Sequence, residues 1–179
     1  SGHHAIGALR IAVLIYLAYG MSFVLAMMLQ YGVFSRWMIL SGSPDLVLLL
    51  IIALCLHQKH RRFWILILIM GGVVGFVSAL PFFIPMVVYM AVYLASFGLK
   101  QRVWQTPLLA MFLLTFGATI LVNFLSIAVL FIQRIPFNFS IALVNVVLPS
   151  VFLNMFLAIP VHAIMRELSV WLYPQGAQI

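Results

Sequence analysis

The sequence predicts an all-α integral membrane protein, a bundle of about six transmembrane helices. Three observations carry this reading. The chain of 179 residues is 66% hydrophobic and only 6% charged, whereas a soluble domain carries roughly a quarter charged residues. Its apolar residues fall into runs long enough for helices that cross a bilayer, each needing about 20 residues. The connections between the runs collect Arg, Lys, Trp, Tyr and Pro, the residues of membrane interfaces and turns.

The elements follow in order. A first span runs over 6–29, with Arg10 near its start placed to snorkel to the headgroups. The stretch 30–42 is a partly polar loop with Tyr31, Arg36 and Trp37. A second span covers 44–56. Ser43 is its expected N-cap, Pro44 its first helical position, and Asp45 a first-turn acid meeting the helix dipole. At about 1.5 Å per residue this helix covers only about 20 Å, less than the roughly 30 Å hydrocarbon core. Either the segment from Trp37 to Leu40 enters the membrane too, or neighbouring helices shield the second span.

The basic loop from His57 to Arg62 leads to span three, 63–80. Pro81 and Pro85 flank a short turn, so spans three and four (82–99) make a tight hairpin. Span five covers 108–132. Span six covers 141–165, with bends expected at Pro149 and Pro160. Arg166, Glu167 and an amphipathic tail with Trp171 and Tyr173 follow. All 179 residues read as a single polytopic membrane domain.

Nine Lys/Arg oppose two acids, Asp45 and Glu167, for a net charge of +7. These cations lie beside expected membrane ends, where they meet anionic lipids. No cluster of cations interleaved with aromatics points to nucleic acid. In a six-span topology Arg10, Lys59, Arg61, Arg62, Lys100, Arg102 and Arg166 share one side, against Arg36 and Arg134 on the other. The positive-inside rule then puts both termini in the cytoplasm. The single Cys55 has no partner for an internal disulfide.

Chemistry-bearing residues are few. Asp45 is the sole acid near membrane depth, either a helix cap or a buried functional acid. His162, in span six, is expected to be a hydrogen-bonded structural residue. Gly71, Gly75 and Ala79 lie four apart and make a flat face, for packing within the bundle or contact with a partner helix. Thr115, Thr119 and Asn123 form a polar line in span five, and Asn145 and Asn154 add to it from span six. Interhelical hydrogen bonding is the expected use, with a ligand pocket as the alternative. There is no Ser/His/Asp set, no pair of carboxylates, no metal-ligand cluster and no phosphate-binding loop, so an enzyme and a cofactor are not expected.

Three segments resemble a known family. The first is Ser43-Pro44-Asp45-Leu46-Val47-Leu48-Leu49-Leu50, followed by a basic loop. The second is Gly75-Phe76-Val77-Ser78-Ala79-Leu80, which closes a Gly-rich span. The third is Asn154-Met155-Phe156-Leu157-Ala158-Ile159-Pro160, with the basic exit at Arg166. Over most of the chain this pattern resembles the rod shape-determining MreD family, a fold relative of the S components of energy-coupling factor transporters. One departure is that Ala79 stands where the family pattern has a second Gly, and no acid follows between Pro81 and Pro85.

The resemblance implies a non-enzymatic scaffold of the cell-elongation machinery in the bacterial cytoplasmic membrane. Its implied partner is an MreC-like single-span protein, and through it MreB filaments and peptidoglycan synthases of the side wall. The competing reading is a vitamin-binding S component. Ala8 and Ala12 fit the spacing of its Ala-x-x-x-Ala coupling motif. That reading requires an outward pocket with polar lining, for which the sequence supplies few groups.

Overall fold

A computed structural model describes residues 2–33, 44–57, 63–102 and 105–172. Side chains in the first stretch are described from Ile6 on, except Ala8. Six helices account for nearly all of these residues, and no strand occurs among them. They are α1 (Gly2–Gly32), α2 (Leu46–His57), α3 (Trp64–Val77), α4 (Phe83–Arg102), α5 (Pro107–Ile132) and α6 (Phe139–Leu172). Four of the six, α1, α4, α5 and α6, are long and apolar enough to cross a membrane.

The two short helices explain the architecture. With 12 residues, α2 is about 18 Å long. It is apolar all round, and Val47 to Cys55 form nine consecutive buried residues. Such a helix belongs inside a bundle. It packs against α1, α4, α5 and α6, so neighbours shield it on every side. Trp37 to Leu40 lie outside the described residues.

The surrounding helices each bury one stripe. On α1 it is Ile15, Tyr19 and Phe23, spaced four apart. On α4 it is Ile84, Val88, Tyr89, Val92, Tyr93 and Ser96. On α5 it is Ala110, Met111, Leu114, Thr115, Ala118 and Thr119. This is the helical period of an inward face. The opposite faces expose large apolar groups such as Phe76, Phe116, Phe124, Phe152 and Phe156. Water does not suit such a surface, but lipid does.

Several boundaries differ from the sequence reading. Gln30 and Tyr31 belong to the last turn of α1 and not to a loop. Asp45, not Ser43, is the N-cap of α2. Its carbonyl accepts from Leu49 N (3.1 Å), and its Oδ1 accepts from Leu48 N (3.0 Å). Pro44 therefore precedes the helix, and Ser43 lies outside the described residues. Span three ends at Val77, because Ser78 is extended, with ψ 150°.

The last helix, α6, holds 34 residues, about 50 Å of rise. Asn138 caps it, its Oδ1 accepting from Ser140 N (3.0 Å) and Ile141 N (3.3 Å). Leu143–Val147 then form a π-helical turn. This widened turn ends just before Pro149, whose ring would collide with the Asn145 carbonyl in a regular α-helix. Before it, α5 ends in a Schellman turn. Ile135 N donates to Leu130 O and Arg134 N to Phe131 O, both 3.1 Å. Arg134 takes the left-handed position, φ 55°, usually given to glycine.

Candidate functional site: a polar cleft at one end of the bundle

Consecutive helices alternate in direction, so the end of α1, the start of α2, the end of α3, the start of α4, the second half of α5 and the first half of α6 meet at one end. A cleft of about 390 Å³ opens there. Ten polar side chains line it, at least one from each of α1, α4, α5 and α6 and from the connections beside α2 and α3. Gln30 and Tyr31 come from α1, Asp45 from the cap of α2, and Ser78 from the turn after α3. Tyr89 comes from α4, Thr119, Asn123 and Ser126 from α5, and Ser150 and Asn154 from α6. Leu48, Val74, Ile84 and Val122 are among the apolar lining. Thr119, at the floor, lies roughly 20 Å by helical rise from the end of α5, about midway along that helix.

Asn154 holds the floor together. Buried at 2% exposure, its Oδ1 accepts from the backbone N of Asp45 (2.8 Å), and its Nδ2 donates to Thr119 Oγ1 (3.0 Å). One side chain thus ties the start of α2 to α5 and α6. A second tie comes from α1, where Gln30 Oε1 accepts from Val47 N (3.0 Å). Of the four N–H groups that a helix start leaves without partners, three are therefore met, those of Asp45, Val47 and Leu48, by Asn154, Gln30 and Asp45. This is how a helix start is tolerated at depth in an apolar bundle.

The polar line on α5 divides into different uses. Thr119 makes the interhelical bond expected of it. Asn123 Nδ2 donates to Thr119 O (2.8 Å), and Ser126 Oγ donates to Val122 O (2.8 Å), both within α5. Thr115 is fully buried, and its hydroxyl oxygen has no partner among the described residues. An apolar group of the same shape there avoids the burial cost of an unpaired hydroxyl. Thr115→Val is expected to stabilise the protein by about 1 kcal/mol, measured as a higher unfolding midpoint in detergent.

His162 lies at the other end of the bundle, apart from the cleft. Its ring centroid is 5.0 Å from that of His57. His57 Nδ1 sits 2.8 Å from the Ala53 carbonyl. His162 Nδ1 is buried and has no hydrogen-bond partner among the described residues. Among the described residues no group of three or more His, Cys, Asp or Glu is placed to hold a metal ion.

The small-residue face is used inside the chain. A Cβ on Gly71 would lie 3.0 Å from Met86 Cα, and one on Gly75 would lie 2.6 Å from Phe82 O. Both glycines are therefore covered by the α4 side of the hairpin. Ala79 lies past the end of α3 and is exposed, so it does not continue that face.

Sequence reasoning grouped Thr119, Asn123 and Asn154 in one polar line, with a ligand pocket as the alternative, but did not join Asp45 to them. It also expected few polar groups at this end, and the cleft overturns that. Gln30, Tyr31, Ser78, Tyr89 and Ser150 were missed. A signal for Ser150 exists: Ser150, Asn154, Ala158 and His162 lie four apart and are all buried on α6. No family model, no curated protein and no solved structure matches the chain.

Proposed function

We propose that this chain is a non-enzymatic scaffold of the bacterial cell-elongation machinery, similar to MreD, in the cytoplasmic membrane. It crosses six times, with both termini in the cytoplasm and the cleft facing outward. The shortness of α2 is no obstacle to this topology, because protein rather than lipid surrounds that helix. The seven-to-two division of cations supports the orientation.

One observation carries the reading. The three segments that resemble the MreD family lie far apart in the chain, yet all three frame the same cleft. The first supplies Asp45, the second Ser78 and the third Asn154, and the first and third are joined by the bond from Asp45 N to Asn154 Oδ1. Apolar composition alone gives three such distant segments no reason to meet. Much of their bonding capacity goes into holding α2, α5 and α6 in place, which suits a framework better than a reaction centre.

The partner of this reading is an MreC-like protein with one membrane helix, through which MreB filaments and peptidoglycan synthases are reached. Docking room exists along the first half of α6. Phe139, Ile141, Leu143, Val144, Val146 and Leu148 are exposed there, around a π turn of the kind common at functional positions. Extraction of the tagged chain from native membranes in mild detergent, followed by mass spectrometry, is expected to recover a single-span partner that survives a salt wash. Recovery of the chain alone would overturn the scaffold.

A second reading, a vitamin-binding S component of an energy-coupling factor transporter, is favoured by the cleft itself, since uptake needs an outward polar pocket. Saturable vitamin binding by the purified chain, together with co-purification of a transport ATPase, would select it over the scaffold.

A further inference from the structure

Asn145 and Asn154 sit on the same helix in opposite surroundings. Asn154 is buried on the inner face of α6 with Ser150, Ala158 and His162. Asn145 is exposed, within the π turn Leu143–Val147, about 9 Å from the start of α6 by helical rise. Its amide joins no hydrogen bond among the described residues. The surface around it is apolar on both sides. Ile135, Phe139 and Ile141 are exposed toward the start of α6, and Leu148, Phe152 and Phe156 beyond it. Acyl chains offer an amide neither donor nor acceptor, so its exposure costs free energy until another protein chain supplies them.

The spacing around Asn145 says which chain. Ile141, Asn145, Leu148, Phe152 and Phe156 follow one another at steps of four, three, four and four, and all five are exposed. Such steps repeat one face of a helix and make the seam of a coiled coil. The stripe points away from the bundle: Phe152 lies two residues from Ser150, on the opposite side of the helix, and Ser150 is buried. A single asparagine in such a seam fixes the register and the number of helices in a parallel assembly. The amide suits that role because it carries both an acceptor and two N–H donors. Two identical amides can therefore donate to each other's oxygen. Copies inserted in one membrane share their orientation, so two α6 helices run parallel about a two-fold axis along the membrane normal, where a residue meets its own twin.

We propose that α6 packs against α6 of a second copy of this chain along the stripe, with the two Asn145 amides bonded to each other across the two-fold axis. Phe152 and Phe156 continue the contact toward the middle of the helix. Phe139, Leu143 and Val146 are exposed off the stripe, so α6 keeps a separate face for the single-span partner of the scaffold reading. The dimer rests on the stripe alone and goes beyond that reading, since self-association and partner recovery are separate measurements.

Sedimentation equilibrium of the purified full chain in density-matched detergent measures self-association. The expected result is a reversible dimer that Asn145→Val weakens about tenfold, the scale of a strong polar contact between membrane helices. Asn145→Gln keeps an amide and is expected to weaken it less. Oxidative cross-linking in membranes tests the geometry without detergent. Asn145→Cys and Phe152→Cys are expected to give disulfide-linked pairs, and Leu143→Cys, off the stripe, is not. Cys55 is fully buried and is expected to add no background. A chain that stays monomeric in detergent and gives no cross-link from Asn145→Cys in membranes would overturn the proposal. So would a dimer that Asn145→Val leaves as tight as before, or cross-linking as efficient from Leu143→Cys as from Asn145→Cys. A monomeric chain whose single-span partner is lost on Asn145→Val would give the stripe to that partner, overturning the dimer and leaving the scaffold standing. A dimer sensitive to Asn145→Val, recovered with no partner, would do the reverse.

Discussion

Replacing Asn154 with leucine is expected to lower the unfolding free energy by about 2–3 kcal/mol. Two interhelical bonds disappear together, one from Asp45 N at 2.8 Å and one to Thr119 Oγ1 at 3.0 Å. Such bonds in membrane proteins average about 0.6 kcal/mol each. The larger part of the cost comes from what they leave behind. The Asp45 N–H stays at the foot of α2 without an acceptor, and an unmet buried group costs about 1–3 kcal/mol. Thr119→Val removes only the second bond and is expected to cost under about 1 kcal/mol. The double variant is expected to cost less than the sum of the two, since both remove the same bond. Asn123→Ala loses only a bond to its own helix and is expected to change stability by less than about 0.5 kcal/mol. Chemical unfolding in mixed micelles reads all four. An unchanged midpoint for Asn154→Leu would mean that water or a relaxed backbone satisfies α2 instead.

The helices were legible in the sequence because their cause is local. Runs of apolar residues, Pro44, Pro81 and Pro107, and the cations at the ends all act within a few residues of where they stand. The enclosure of α2 was half legible: an apolar run shorter than the bilayer had to be either extended or shielded, and only packing chose between them. The cleft was legible only in part, as the polar line on α5 with Asn154. Its members are spread over six different segments, and Asp45 and Asn154 are 109 positions apart. Nothing in the local pattern distinguishes Asn123, which bonds its own helix, from Asn154, which bonds two others. The misreading of Ser43 has the same origin. Ser43 and Asp45 both suit an N-cap, and the choice fell to Asp45 where Asn154 is present to take its backbone N–H.

Gly75→Ala is expected to destabilise the protein by about 3 kcal/mol, at the upper end of the cost of overpacking. The reason is what the new methyl would meet. At Gly75 the nearest atoms are the backbone of the α3–α4 turn, Phe82 O at 2.6 Å and Phe82 Cα at 2.8 Å. That turn is already tied by Ser78 N donating to Val74 O (2.7 Å) and by Leu80 N donating to Ser78 Oγ (3.1 Å). Backbone held this way has no rotamer to change, so α3 and α4 must separate. At Gly71 the contact is Met86 Cα at 3.0 Å, and Gly71→Ala is expected to cost about 1 kcal/mol. At Gly72 a Cβ meets nothing within 4 Å. Gly72→Ala then keeps only the gain in helix propensity, up to about 1 kcal/mol, and is expected to stabilise slightly. The ranking separates packing within the chain from docking of a partner. If the face at Gly71 and Gly75 served a partner's helix, substitutions there would spare the isolated protein and weaken only the complex. Thermal unfolding of the three purified variants alone, compared with partner recovery from membranes, tells the two apart.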